Sequence, residues 1–202
     1  MKKKWILIGM SIILVVIVSL YFDSEIVEGI SLIRNDLFND FFMGITFASS
    51  EIIVFFFLTG LFLWKRKKFI LPLWITLGLA VAVSFLLKVA VQRQRPFQLG
   101  LVSILPVLEK ASQAVWNFSF PSFQAMLVFC AIPLLSKQFP KLKYWWIAFA
   151  VLVGFSRIYF GLHFLSDVIV GAAIGYLIGI GVIKLEKRYK FGEKVYRKIF
   201  RK

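Results

Sequence analysis

His163 is the only histidine in the chain, and Asp167 follows it by four residues, a spacing that puts both side chains on one face of a helix. A carboxylate so placed can accept one imidazole N–H, fix the tautomer and leave the other ring nitrogen free to attack phosphorus. Three cations stand in nearby or comparable segments: Lys88, Arg95 seven positions later with Pro96 behind it, and Arg157 six positions before His163. Arginine matches phosphate oxygens with a planar fork of donors, and lysine acts on them as a point charge. Between these segments lies Phe120-Pro121-Ser122-Phe123-Gln124. There a proline in a first helical turn would leave backbone N–H groups for an anion. Each piece alone has an ordinary structural use, as a snorkelling cation, a helix cap or a packing residue. Together, a nucleophile, its carboxylate and three cations describe a site for a phosphate-bearing substrate.

These residues must be positioned by apolar helices. The 202 residues are 60% hydrophobic with a mean hydropathy of +0.84, far above soluble usage. Apolar stretches close to the ~20 residues that cross a bilayer recur along the whole length. The sequence predicts an all-α, integral membrane bundle of six transmembrane helices, at about 5–22, 41–64, 69–91, 121–136, 144–161 and 165–184, with residues 1–202 as one membrane domain. The basic start followed by Trp5 to Phe22 resembles a secretory signal, but it is long and no small-residue cleavage site follows, so an uncleaved first span is expected. The fourth span is the shortest and is expected to begin before Pro121. Residues 23–40 read as a short amphipathic segment, and 92–120 as a long, fairly apolar connection in the headgroup layer. Steps of four from Asp167 reach Gly171, Gly175 and Gly179, a small-residue ridge for close helix packing. Cys130, the single cysteine, cannot form an intrachain disulfide and reads as a buried thiol.

Charge placement gives the orientation. With the N-terminus inside, 19 of the 25 basic residues fall on the cytoplasmic side, including nine in the tail from Lys184 to Lys202. The remaining six, Arg34, Lys88, Arg93, Arg95, Lys110 and Arg157, share the outer half with eight of the ten acids. The net charge of +15 is therefore a topological signal and an attraction to anionic lipid, with no nucleic-acid partner implied. The expected setting is a prokaryotic plasma membrane, with both termini cytoplasmic and the site on the outer face.

The same residues resemble the type 2 phosphatidic acid phosphatase superfamily, whose three-part signature is Lys-x6-Arg-Pro, Pro-Ser-Gly-His and Ser-Arg-x5-His-x3-Asp. The first part is intact as Lys88, Arg95 and Pro96, and the third as Ser156, Arg157, His163 and Asp167, within about residues 41–184. The resemblance implies a membrane lipid phosphatase acting on a lipid phosphate or diphosphate, with no cofactor and no metal. It further implies a phosphohistidine on His163, Asp167 as the orienting carboxylate, and Lys88, Arg95, Ser122 and Arg157 as the phosphate cradle. The second part departs from the signature. Phe123 replaces the glycine, and Gln124 replaces the histidine that would protonate the leaving oxygen. A glutamine donates a hydrogen bond but no proton, and general acid help is typically worth about 10²–10⁴-fold. A diphosphate suffers least from that loss, because its leaving group is already a weak base, so a polyprenyl or other lipid diphosphate is the preferred substrate. Glu51 in the second span is a conceivable replacement acid, though a packing role suits it as well. Two alternatives stand beside hydrolysis: phosphotransfer to an acceptor alcohol by the same nucleophile, and a phospholipid-binding or transporting protein of impaired catalysis.

Overall fold

The computed structural model of the protein describes residues 2–111 and 118–200. Of the charges weighed above, Lys2 to Lys4, Glu109, Lys110, Arg201 and Lys202 have side chains outside the described ones. The described residues form helices α1 (Lys2–Ser31), α2 (Asp36–Ala48), α3 (Glu51–Lys65), α4 (Ile70–Val91), α5 (Pro106–Ala111), α6 (Phe123–Gln138), α7 (Lys143–Tyr159), α8 (Leu165–Tyr189) and α9 (Phe191–Phe200). Two segments, 67–91 with its leading 3₁₀ turn and α8, are long and apolar enough to cross a membrane. The bent pair α2 and α3, hinged by 59°, makes a third when read as one broken span.

Three of the boundaries that differ from the sequence expectation bear on the site, each for a local reason. The first helix does not stop at residue 22 but continues to Ser31, because Asp23 and Val27 are buried against the bundle rather than lying in an interfacial segment. The second apolar stretch breaks at Ser49 and Ser50, where the Ser49 hydroxyl donates to the Thr46 carbonyl. The fourth helix begins at Phe123, after Pro121 and not before it, with Ser122 as its N-cap and a cis Phe120–Pro121 peptide preceding it.

The 92–111 connection is also more structured than a headgroup-layer loop. Its Ile104, Leu105 and Leu108 pack with Tyr159, Phe160 and Leu162 at the end of α7. Arg34, in the turn between α1 and α2, ties this loop down by donating to the carbonyls of Tyr159 (2.7 Å) and Ser103 (2.7 Å).

The close pairing of α6 with α8 sets the frame for the site. A Cβ on Gly171 would lie 2.5 Å from the Ser122 carbonyl oxygen, one on Gly175 2.2 Å from that of Met126, and one on Gly179 2.3 Å from that of Cys130. Both series advance by four residues, so the two helices run side by side with their backbones in contact for about two turns. Cys130 is fully buried in this seam, as expected of a structural thiol.

Candidate active site

Four elements bring the sequence-predicted residues to one end of the bundle. Lys88 sits in the last turn of α4, which ends at Gln92 in a left-handed conformation (φ 52°) that turns the chain toward Arg93 and Arg95. At the end of α7 the Arg157 carbonyl accepts from the backbone N–H groups of both Leu162 (3.0 Å) and His163 (3.2 Å), folding the chain back over the helix. Gly161 makes that fold possible. Its φ is +66°, and a Cβ there would stand 2.2 Å from a Val102 methyl group. Ser122 at the head of α6 is joined to α8 by a hydrogen bond from its backbone N–H to the Asp167 carbonyl (3.0 Å).

His163 is 4% exposed. Its Nδ1 lies 2.6 Å from the Ser119 carbonyl oxygen and 3.8 Å from the nearer Asp167 oxygen. A distance of 3.8 Å is beyond hydrogen-bond reach. The Nδ1–H therefore donates to the Ser119 carbonyl, and Asp167 stands one step behind rather than directly on the ring as its spacing predicts. Ser119 links the two, since its hydroxyl donates to Asp167 (2.5 Å). The other ring nitrogen, Nε2, faces the Arg95 guanidinium at 3.4 Å. Burial and the Arg95 charge push the imidazole from its ordinary 6.5 down to about 3. It is neutral at neutral pH, with its lone pair on Nε2.

The cations differ in how they are balanced. Lys88 is buried and donates to the Phe118 carbonyl (2.5 Å). Arg157, 2% exposed, donates to the side-chain oxygens of Gln124, Thr46 and Ser156. Among the described residues no carboxylate pairs with either. Arg95 donates to the Leu162 carbonyl (3.0 Å) and is within electrostatic reach of Lys88, Arg157 and His163 alike. Burial pushes its guanidinium down to about 10, which leaves it charged at neutral pH. The Ser122 hydroxyl is buried without a hydrogen-bond partner and makes no capping bond to α6. Two buried cations without a carboxylate, both within electrostatic reach of the Arg95 that meets the neutral imidazole, and an orphaned hydroxyl on the helix bonded to Asp167 give a region of positive potential suited to an anion.

The two departures from the signature have visible consequences. Phe123 packs against the main apolar core. Gln124 turns its amide oxygen to Arg157. Glu51, in the first turn of α3, lines an apolar pocket with Phe55, Phe56 and Leu127.

Over residues 69–190 the sequence matches the family model of the PAP2 superfamily. The chain belongs to the PAP2 superfamily. It is 30% identical over 183 residues to phosphatidylglycerophosphatase B of Bacillus subtilis, covering 83% of this chain and 85% of that protein. Its fold is similar to the crystal structure of a transmembrane PAP2-type phosphatidylglycerolphosphate phosphatase from Bacillus subtilis, with a TM-score of 0.70, 25% identity, and coverage of 90% of this chain and 97% of that one. It is similar also to LpxE of Aquifex aeolicus, with a TM-score of 0.65, 28% identity, and coverage of 81% and 95%. The protein is thus a PAP2-type membrane phosphatase, all helical, with the residues of two signature parts gathered at one end.

Spacing alone leaves several PAP2 site neighbours unassigned. Thr46 and Ser119 carry no recognisable signal, because they reach the site through tertiary contact. Arg93 is visible as a cation on the site-bearing half, and Asp23 as an acid ending an apolar run, a position that marks function when buried.

Proposed function

We propose that the protein removes phosphate from a membrane lipid at the outer face of a plasma membrane, through a phosphohistidine on His163. The observation that carries this reading is the pair of buried cations, Lys88 and Arg157, left without a carboxylate among the described residues and each within electrostatic reach of Arg95, whose guanidinium meets the imidazole at Nε2. In the proposed first step Nε2 attacks phosphorus, and the bond from phosphorus to the lipid oxygen breaks with its electron pair leaving on that oxygen. Lys88, Arg95 and Arg157 stabilise the charge on the three equatorial oxygens, and the Ser122 hydroxyl donates to one of them. Water then attacks phosphorus, the Nε2–phosphorus bond breaks with its electron pair returning to Nε2, the proton released by the water passes to the departed lipid oxygen or to solvent, and inorganic phosphate departs. Nδ1 keeps its proton throughout and donates it in a hydrogen bond to the Ser119 carbonyl, which keeps Nε2 the nucleophile. In this reading α1, the α2–α3 pair, α4, α6, α7 and α8 are the six spans, and the charge distribution along the chain puts both termini in the cytoplasm.

The substrate preference turns on Gln124. Its amide oxygen accepts from Arg157 and it supplies no proton, so a departing alkoxide goes unprotonated while a departing lipid phosphate needs little help. That favours a lipid diphosphate. The relative's name, phosphatidylglycerophosphatase B, favours a phosphate monoester. One panel separates them: phosphate release by the purified protein, in chelator, from a polyprenyl diphosphate, phosphatidylglycerophosphate and phosphatidic acid. Release is expected to be fastest from the diphosphate and lost in His163→Ala. Gln124→His is expected to speed the monoesters by about 10-fold or more and the diphosphate by less. Binding without release by the wild type would overturn the hydrolase reading, and equal acceleration of both classes would overturn the account of Gln124.

A further inference from the structure

Asp167 is held by an arginine that the signature does not contain. Arg93 donates through Nη1 to Asp167 (2.8 Å) and Ser166 (2.7 Å), and through Nη2 to Asp23 (2.8 Å). Its guanidinium lies 4.0 Å above the Phe164 ring, and its backbone carbonyl accepts the Ser119 N–H (2.7 Å). The same residue therefore fixes both groups that flank Nδ1 of His163. Its side chain holds the carboxylate, and its main chain holds the residue whose carbonyl takes the ring proton.

Asp23 anchors that arginine from another helix. It is 2% exposed, on α1; the oxygen that meets Arg93 also accepts the Ser166 hydroxyl (2.5 Å), and the other accepts the Ser166 backbone N–H (3.0 Å). Ser166 is the second residue of α8, whose N-cap, Phe164, has no side-chain acceptor of its own. Asp167 makes half of a capping box by accepting the Phe164 N–H (2.9 Å). Asp23 supplies the other half across the bundle, satisfying a first-turn donor that the local sequence cannot. A buried carboxylate on an apolar helix is costly, and here its charge is matched by Arg93, which in turn is shared with Asp167. Asp23 lies outside the family match, which begins at residue 69.

From this geometry we infer that Asp23 and Arg93 are positioning residues for His163. Asp23 caps α8 and fixes Arg93, and Arg93 fixes Asp167 and the Ser119 carbonyl against the imidazole. The inference rests on the reading of His163 as the nucleophile. It assigns to the first helix a part in the chemistry, beyond that of a membrane anchor.

The test is a double-mutant cycle on phosphate release and on phosphohistidine trapped by acid-free quench. Asp23→Asn keeps the shape and one acceptor but removes the charge. It is expected to lower kcat about 10-fold with KM within about 2-fold of the wild type, as for loss of an orienting partner behind a reactive group. Arg93→Gln is expected to lower kcat by about 10–100-fold, and the double variant to be no slower than Arg93→Gln alone. Arg93→Lys provides a second arm should the glutamine variant not fold. An unchanged kcat in Asp23→Asn, fully multiplicative losses in the double variant, or a kcat loss that follows a lowered melting temperature would each overturn the inference. Absence of release and of phosphohistidine in the wild type would instead overturn the phosphatase reading itself.

Discussion

Among its single residues the site works by leaving some groups unsatisfied. Arg93, with two carboxylates, is a closed structural unit, whereas Lys88 and Arg157 lie buried with none among the described residues. The difference could not be read from residue type, since all three are cations on the same half of the chain. Spacing grouped Lys88 with Arg95 and Arg157 with His163 and Asp167, and the charge distribution put both groups on the same side of the bundle. Spacing misplaced the proton of His163, because a carbonyl 44 residues away in sequence approaches more closely than the carboxylate one turn on. The neutral state of this ring is open to direct measurement, since the chain has one histidine. An unperturbed imidazole is about three-quarters protonated at pH 6. With its pKa pushed down to about 3, His163 keeps its neutral form on acidification well below 6.5. Histidine-selective ¹⁵N NMR of tag-free protein is therefore expected to show one neutral Nδ1–H tautomer from about pH 8 to about pH 5. A transition to imidazolium centred near the ordinary 6.5 would contradict the buried, Arg95-facing setting.

Between helices, precision comes from the α6–α8 seam. The Ser122 N–H to Asp167 carbonyl bond connects the head of α6 with the residue whose carboxylate stands behind His163, and three glycines below it keep the helices close enough for that bond to persist. The ridge was legible because small residues at intervals of four have few other uses in an apolar helix. The hinge at Ser49 and Ser50 was marked only by the short polar run Ser49-Ser50-Glu51, a helix-start signal inside an apolar stretch long enough to be read as one span, yet it delivers Thr46 to Arg157. Substitution distinguishes the seam from ordinary helical glycine. Gly175→Ala would put a methyl 2.2 Å from the Met126 carbonyl oxygen, so backbone must move, at a cost of about 1–3 kcal/mol. A Cβ at Gly181 would have nothing within 4 Å, and Gly181→Ala is expected to be neutral or slightly stabilising. Thermal unfolding in detergent should rank Gly175→Ala well below wild type and Gly181→Ala at or above it. Gly171→Ala, whose Cβ would meet Ser122 itself at 2.5 Å, is expected to lose kcat as well as stability. Equal melting temperatures for Gly175→Ala and Gly181→Ala would show that the helices are not held at contact.

Taken as one body in a bilayer, the fold solves a problem of charge in an apolar solvent. The His163 end concentrates buried cations for which a bilayer offers no counter-ion, and the opposite end carries the basic turn after α3, the basic turn before α7 and the helix α9. α9 is docked on that end: the Gly192 N–H donates to Glu186 (2.9 Å), and a Cβ at Gly192 would stand 2.6 Å from the Lys68 carbonyl oxygen. The basic excess on one end and the acids on the other give a definite expected orientation, because each lysine or arginine near a span end resists translocation. Accessible cysteines can read it. Leu99, in the connection beside the site, is 50% exposed, and Lys194 on α9 is exposed. The native thiol, Cys130, is fully buried and contributes no background. In intact cells a membrane-impermeant maleimide is expected to label Leu99→Cys and not Lys194→Cys, and to label both once the membrane is opened. That pattern requires an odd number of crossings between the site loop and the tail, as α6, α7 and α8 provide when each spans the bilayer once. Labelling of Lys194→Cys alone in intact cells would put the His163 end in the cytoplasm, where the proposed substrate would have to be a lipid of the inner leaflet.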